Sequence, residues 1–276
     1  MNYIEFDFLV KSATPASDLL IAALADIGFE SFVETENGFL AYISEKEFSD
    51  EKFSEFIQAQ KSDFDFSFHK KIIPDKNWNE EWENNYHKVT VSEDCIIRAP
   101  FHAAENLKYE IIIEPKMAFG TGHHDTTLLM MRALLNLSIE KKNILDIGCG
   151  SGILSILASK RAAKSVFAVD IDEWAYNNTL ENIEINNCKN ISVHKGDAQI
   201  LDSRKFDIIL ANINRNVLLQ DLKIYFSVLE KKGDLLMSGF LKQDAEILKT
   251  KALETGFVFK NEISENNWLF LHFSKK

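Results

Sequence analysis

The sequence predicts an α/β protein: a doubly wound sheet of alternating strands and helices that ends in an antiparallel hairpin, preceded by a small α+β domain. Three observations lead there. From residue 143 onward, short apolar or β-branched runs alternate with stretches of helical periodicity, the pattern of a parallel sheet covered on both faces. Residues 1–73 instead run strand, helix, strand, strand, helix, strand, the split βαβ or ferredoxin-like order. Glycines at 148, 150 and 152 close a short buried strand and open a helix, as in a nucleotide-binding turn.

The elements follow in order. Ile4, Phe6 and Phe8 alternate with Glu5 and Asp7, the period of a half-buried strand. Thr14 is placed to cap a helix with Pro15 at its first position; Leu19, Leu20, Ala23, Leu24 and Ile27 form its apolar stripe and Gly28 stops it. Asn37-Gly38 is a strong turn signal between strands at 29–35 and 39–43. Ser44 and Glu47 read as a capping box for a helix reaching about residue 59, carrying Phe48, Phe53, Phe56 and Ile57. Residues 64–73 alternate again. After Pro74, Trp78, Trp82 and Tyr86 stand four apart and place one aromatic stripe on a linker helix, assigned to residues 74–92.

The second domain, residues 93–276, opens with strands near 95–99 and 109–114 and an apolar helix at 127–137. Strands at 143–147, 165–169, 191–194, 206–211 and 234–238 then alternate with helices at 151–161, 173–186, 215–229 and 243–254. The last two strands, 257–263 and 268–273, have no helix between them and form a hairpin at one end of the sheet.

The 276 residues, 46% hydrophobic and 26% charged, are ordinary for a globular protein with a sizeable core. No apolar run approaches the roughly 20 residues that span a bilayer, and no basic segment with an apolar core opens the chain, so a cytosolic protein without membrane association is expected. Cys95, Cys149 and Cys188 include no C-x-x-C pair and suggest neither a disulfide framework nor a zinc site. The net charge of −11 is uneven: residues 1–72 hold 14 Asp and Glu against 6 Lys. That acidic first domain favours a basic partner and disfavours nucleic acid, against the plainer possibility of a solvated face.

Asp170 ends the strand after the glycine turn, 22 residues beyond Gly148, where an acid can grip both ribose hydroxyls of an adenosine. Asp146 lies just before the glycines, and Asp197 follows the next strand. A dinucleotide would bring a pyrophosphate into this acidic surround. S-adenosylmethionine carries no phosphate but has an ammonium and a sulfonium, so the three acids point to it as the cofactor. Ligands of such sheets lie beyond the carboxyl ends of the strands, where Gly148, Asp170, Asp197 and Asn212 all fall. The adjacent His123 and His124 do not make a metal site, because neighbouring residues do not converge on one ion and no H-E-x-x-H is present.

The motifs D-I-G-C-G-S-G at 146–152, M-A-F-G-T-G-H-H-D-T-T at 117–127 and A-N-I at 211–213 together resemble the PrmA-type ribosomal protein L11 methyltransferases, within the class I S-adenosylmethionine-dependent fold. The resemblance covers nearly the whole chain, and the loop at 117–127 is its most specific part. It implies cofactor contacts at Thr127, Gly148, Asp170 and Asn212, with Phe119 and His124 bordering the methyl group, and Gly150 of the turn and the acid Asp197 complete the expected cofactor site. It also implies that the first domain recognises the ribosomal protein, that the linker lets it swing, and that the enzyme methylates lysine side chains, the N-terminal amine or both; a monomer is expected. Asn212 is assigned the orientation of the amine. Lys116 and Asp125 depart from the family pattern, which commonly has glycine and proline there. Two rivals stand beside this reading: a methyltransferase of another amine, and a cofactor-binding scaffold without catalysis.

Overall fold

The computed structural model describes residues 2–11, 13–73, 86–116 and 120–276, and the chain divides into two compact units, Met1–Asn85 and Tyr86–Lys276. In the first, β1 (Tyr3–Val10), α1 (Ala13–Asp26), β2 (Ser31–Thr35), β3 (Gly38–Ser44), α2 (Asp50–Gln60) and β4 (Phe66–Ile73) follow one another. The four strands form one sheet in the order β2-β3-β1-β4, with every neighbour antiparallel. Strand alternation turns Phe6 and Phe8 inward to meet Leu20 and Leu24 of α1, Phe53 and Phe56 of α2 and Phe39 of β3. Each such aromatic or aliphatic side chain contributes about 1.5–3 kcal/mol by leaving water, and this is the driving force for the unit.

Two local expectations are corrected here. Gly38 is the first residue of β3 and the turn is Glu36-Asn37; a Cβ on Gly38 would stand 1.9 Å from the Phe8 carbonyl oxygen, so the glycine serves the close approach of β1. Ser44 does not cap α2, because it still belongs to β3 and pairs with Tyr3. The cap is Ser49, whose hydroxyl accepts the Lys52 N–H at 3.3 Å, with Asp50 and Glu51 favourably placed in the first turn.

The aromatic linker helix expected over residues 74–92 lies mostly outside the described residues. Its last four, Val89–Ser92, are a strand rather than helix, as the β-branched run Val-Thr-Val favours. This strand, β5, pairs antiparallel with β6 (Cys95–Arg98), which pairs parallel with β7 (Tyr109–Ile112) in a small separate sheet.

The large sheet of the second unit comprises β8 (Asn143–Ile147), β9 (Ser165–Asp170), β10 (Ile191–Lys195), β11 (Phe206–Asn212), β12 (Leu229–Leu241), β13 (Phe257–Glu265) and β14 (Trp268–Lys275). Their order is β10-β9-β8-β11-β12-β14-β13, parallel from β10 to β12, with β14 antiparallel to both its neighbours. The helices are α3 (Asp125–Asn136), α4 (Ile153–Lys160), α5 (Glu173–Ile185), α6 (Arg215–Val228) and α7 (Ala245–Thr255). Alternate strand residues feed two cores: Leu145, Ile209 and Leu235 pack with α6 and α7, whereas Ile144, Leu210 and Leu236 pack with α3 and α4. Both faces are therefore covered, which explains the continuous apolar runs of the strands. The connections reverse direction between β8 and β11, leaving a crevice at the carboxyl ends of these strands.

Candidate functional site

The glycine turn after β8 is built on left-handed backbone, with φ of 70° at Gly148, 58° at Gly150 and 78° at Gly152. A Cβ on Gly148 would lie 2.2 Å from Ile213 Cγ2, so the turn and the end of β11 touch without room for a side chain. The N–H groups of Gly148 and Cys149 donate to the Val169 carbonyl at 2.8 and 3.0 Å, Gly152 N–H donates to the Cys149 carbonyl at 2.8 Å, and Gly150 N–H donates to Asp170 Oδ2 at 2.9 Å. These donors are used within the protein and do not form a cradle for pyrophosphate. Cys149 is buried beside Thr179 Oγ1 at 3.4 Å, and burial pushes its thiol pKa well up, so it is packing rather than a nucleophile.

Asp146, one of the three acids expected to suit a cationic cofactor, lies apart from the cleft. It is 1% exposed, does not line the cleft, and accepts the N–H and hydroxyl of Ser155 at 3.0 and 2.6 Å. Its place in β8 explains this: Leu145 and Ile147 face the α6 and α7 core, so Asp146 must face α4, whose first turn it anchors. Burial raises its carboxyl pKa to about 6, despite the opposing bonds from Ser155.

A cleft of about 700 Å³ opens at the strand ends. His124, Gly148, Gly150, Asp170, Asp197 and Asn212 all line it, so six expected site residues converge on one space. Asp170 Oδ1 also accepts the Asp172 N–H at 3.0 Å, which fixes its carboxylate while each oxygen keeps a second lone pair. Asp197 accepts the Gln199 N–H at 2.9 Å. Asn212 Oδ1 is buried with no hydrogen-bond partner among the described residues. Among the described residues, the lining includes Asp170, Asp172, Asp197 and Asp221 but neither lysine nor arginine. An acidic cleft with an unused buried acceptor fits a cationic cofactor carrying amino groups.

Thr127 stands apart: it is 1% exposed within α3, its hydroxyl has no partner among the described residues, and it does not line the cleft. Phe119 lies outside the described residues. His124 caps α3, its Nδ1 accepting the Thr126 N–H at 3.3 Å, and its ring meets Trp268 edge-on at 4.6 Å. His123 instead contacts the His87 carbonyl through Nε2 at 3.1 Å.

The loop before α3 is tied to the glycine turn at both ends. Ser151 hydroxyl donates to the Gly120 carbonyl at 2.6 Å. Asn182 of α5 donates to the Ser151 carbonyl and accepts the Glu114 N–H, both at 2.9 Å. Asn186, one turn on, accepts the Ile112 N–H at 3.0 Å and donates to its carbonyl at 2.6 Å. The two departures from the family pattern also have partners: Lys116 pairs with Glu181, and Asp125 accepts from Asn266 at 2.8 Å. Sequence reasoning missed this asparagine ladder, although its spacing of four was a signal. It also missed Trp268, Ile171, Trp174 and Asp221 as lining residues, whose only signal was position near strand or helix ends.

The sheet order is that of a doubly wound α/β fold with a terminal antiparallel hairpin, and a methyltransferase from Pyrococcus furiosus shares this fold with a TM-score of 0.50 at 20% identity, over 60% of this chain and 89% of that one. The family model "Ribosomal protein L11 methyltransferase (PrmA)" matches residues 24–276, and the chain belongs to that family. The ribosomal protein L11 methyltransferase of Phocaeicola vulgatus is 42% identical over 281 residues, covering 100% of both chains. That of Porphyromonas gingivalis is 44% identical over 288 residues, covering 99% of this chain and 98% of its own. The crystal structure of ribosomal protein L11 methylase from Lactobacillus delbrueckii subsp. bulgaricus is similar with a TM-score of 0.64 at 29% identity, over 69% of this chain and 100% of that one. The chain is a methyltransferase that uses S-adenosylmethionine.

Proposed function

We propose that the enzyme transfers methyl groups from S-adenosylmethionine to amino groups of ribosomal protein L11, on lysine side chains, the N-terminal amine or both. The observation that carries the amine reading is the buried, unpartnered Asn212 Oδ1 in the cleft, an acceptor suited to an amine N–H. When bound, the cofactor would supply an electrophilic methyl on its sulfonium, and the residues of the cleft would hold a neutral amine against it. Gly148, Gly150 and Asp170 would hold the adenosine portion, with Asp197 beyond them and His124 bordering the methyl. Asn212 turns the amine lone pair towards the reacting carbon, the kind of positioning on which such displacements chiefly depend. A lysine of ordinary pKa about 10.4 is mostly protonated at neutral pH, but burial and a nearby cation favour its neutral form, so no dedicated base is required.

The first unit serves as the recognition domain, and its strand order supports a ferredoxin-like assignment. Glu5 and Asp7 occupy the side of β1 opposite the buried Phe6 and Phe8, and the 14 acids of residues 1–72 against 6 lysines suit a basic protein rather than nucleic acid. The enzyme acts as a cytosolic monomer; among the described residues, no helix is long and apolar enough to cross a membrane. The deciding experiment incubates the enzyme with labelled S-adenosylmethionine and purified L11, followed by mass spectrometry of L11 peptides. Label on lysine or N-terminal amines is expected, and label confined to other side chains or absent would refute the reading.

A further inference from the structure

Asp221 is the cleft residue that the reaction leaves unexplained. It lies in α6, is 5% exposed, and what it does expose faces the cleft. Its Oδ2 accepts a long hydrogen bond from the fully buried Tyr225 hydroxyl, 3.5 Å, and no lysine, arginine or histidine pairs with it among the described residues. A buried carboxylate without a counter-charge is costly, and such groups concentrate where a ligand compensates them. Asp197 lies on the same side: the 3-10 turn that it opens, Ala198–Leu201, shares a core with Leu218 and Leu222 of α6. Burial, then the charge of Asp197, pushes the Asp221 pKa up. The unpaired Asn212 Oδ1 elsewhere in the same cleft independently marks the space as built for a ligand.

We infer that Asp221 is a specificity residue for the cofactor's base: with Asp197 it brackets the exocyclic amino group of adenine, each carboxylate accepting one of its two N–H groups. This rests on the methyltransferase reading above. An amino group is the adenine substituent that satisfies two acceptors at once, and its two partial positive charges offset the repulsion between the acids. A carbonyl at the same position would instead face two carboxylates without a proton to share. Rejection of an analogue that leaves buried polar groups unpaired is the strongest discrimination a binding site offers.

The test titrates the full chain calorimetrically with S-adenosyl-L-homocysteine and with its deaminated analogue, S-inosyl-L-homocysteine. The wild type should prefer the amino compound at least tenfold. Asp221→Asn, whose amide can donate to the carbonyl, should narrow that ratio at least threefold. A purely structural role would weaken both ligands alike and leave the ratio unchanged, which would overturn the inference. Should the variant not fold by circular dichroism, the wild type decides: affinities within twofold of each other overturn it. Failure of the wild type to bind S-adenosyl-L-homocysteine at all would instead strike the cofactor reading itself.

Discussion

Asn212 ends β11 with a buried side-chain oxygen that no described residue satisfies, a state worth about 1–3 kcal/mol of lost solvation until a ligand donates to it. Because orientation of the amine matters most on the way to the transition state, Asn212→Ala should lower the single-turnover rate of methyl transfer by more than it weakens cofactor binding. Equal single-turnover rates at saturating cofactor would remove Asn212 from the chemistry. Asp146 sits on the neighbouring strand with the opposite fate. Its pKa of about 6 stands above the usual carboxylate value of about 3.9, so the folded protein holds this proton longer than the unfolded chain does. The stabilisation is therefore fully present below about pH 4 and is lost as pH rises through about 6, on the order of 3 kcal/mol in all. Asp146→Asn cannot ionise yet still offers an oxygen to Ser155, so its stability should decline much less between pH 4 and 7. Denaturant unfolding of both proteins across that range checks this, and parallel curves would count against it.

At the scale of the element, α5 does more than cover the sheet. Asn178, Asn182 and Asn186 lie four apart on one buried face, and their amides hold the end of β7, Glu114 beyond it and the glycine turn together. Asparagine is a poor helix former, so three of them on the buried side read as a structural device rather than as propensity. Asn182→Leu would leave the Glu114 N–H and the Ser151 carbonyl unpaired, which costs about 2–4 kcal/mol. Scanning calorimetry should then show Tm lowered by about 5–10 °C for a unit of this size. A change under 2 °C would mean that water or other groups replace both bonds. Cofactor affinity should fall as well, since Ser151 belongs to the turn that positions Gly150 against Asp170.

For the whole molecule, the proposed function gives the two units separate tasks. All the described cofactor-site residues belong to Tyr86–Lys276, so a chain starting at Tyr86 should fold and bind S-adenosylmethionine yet fail to methylate L11. The intact enzyme should also lose affinity for L11 as salt rises, because exposed charges are screened over about 8 Å at physiological ionic strength. Cofactor affinity in the cleft should change far less. Calorimetry of both ligands at low and high salt measures this directly. Full activity of the shortened chain would refute the division, and salt-independent L11 binding would refute its electrostatic basis.

Sequence alone determined whatever depends on neighbours in the chain. The alternation of Ile4, Phe6 and Phe8, the apolar stripe around Leu20 and Leu24, and the run of glycines from 148 to 152 follow from backbone geometry with periods of a few residues. Because strands end where ligands bind, Asp170, Asp197 and Asn212 could be placed from those periods, and the cleft gathers all three. What only the tertiary structure decided depends on pairings between distant segments. Ser44 lost its capping role to β3 because its backbone was already committed to Tyr3. Asp146 faces α4 because sheet register turned its neighbours the other way. Trp268 and Asp221 reach the cleft from β14 and α6 only once the strand order β8-β11-β12-β14 is set. No local period encodes such contacts; they arise when long-range burial selects one arrangement of elements that are each locally consistent.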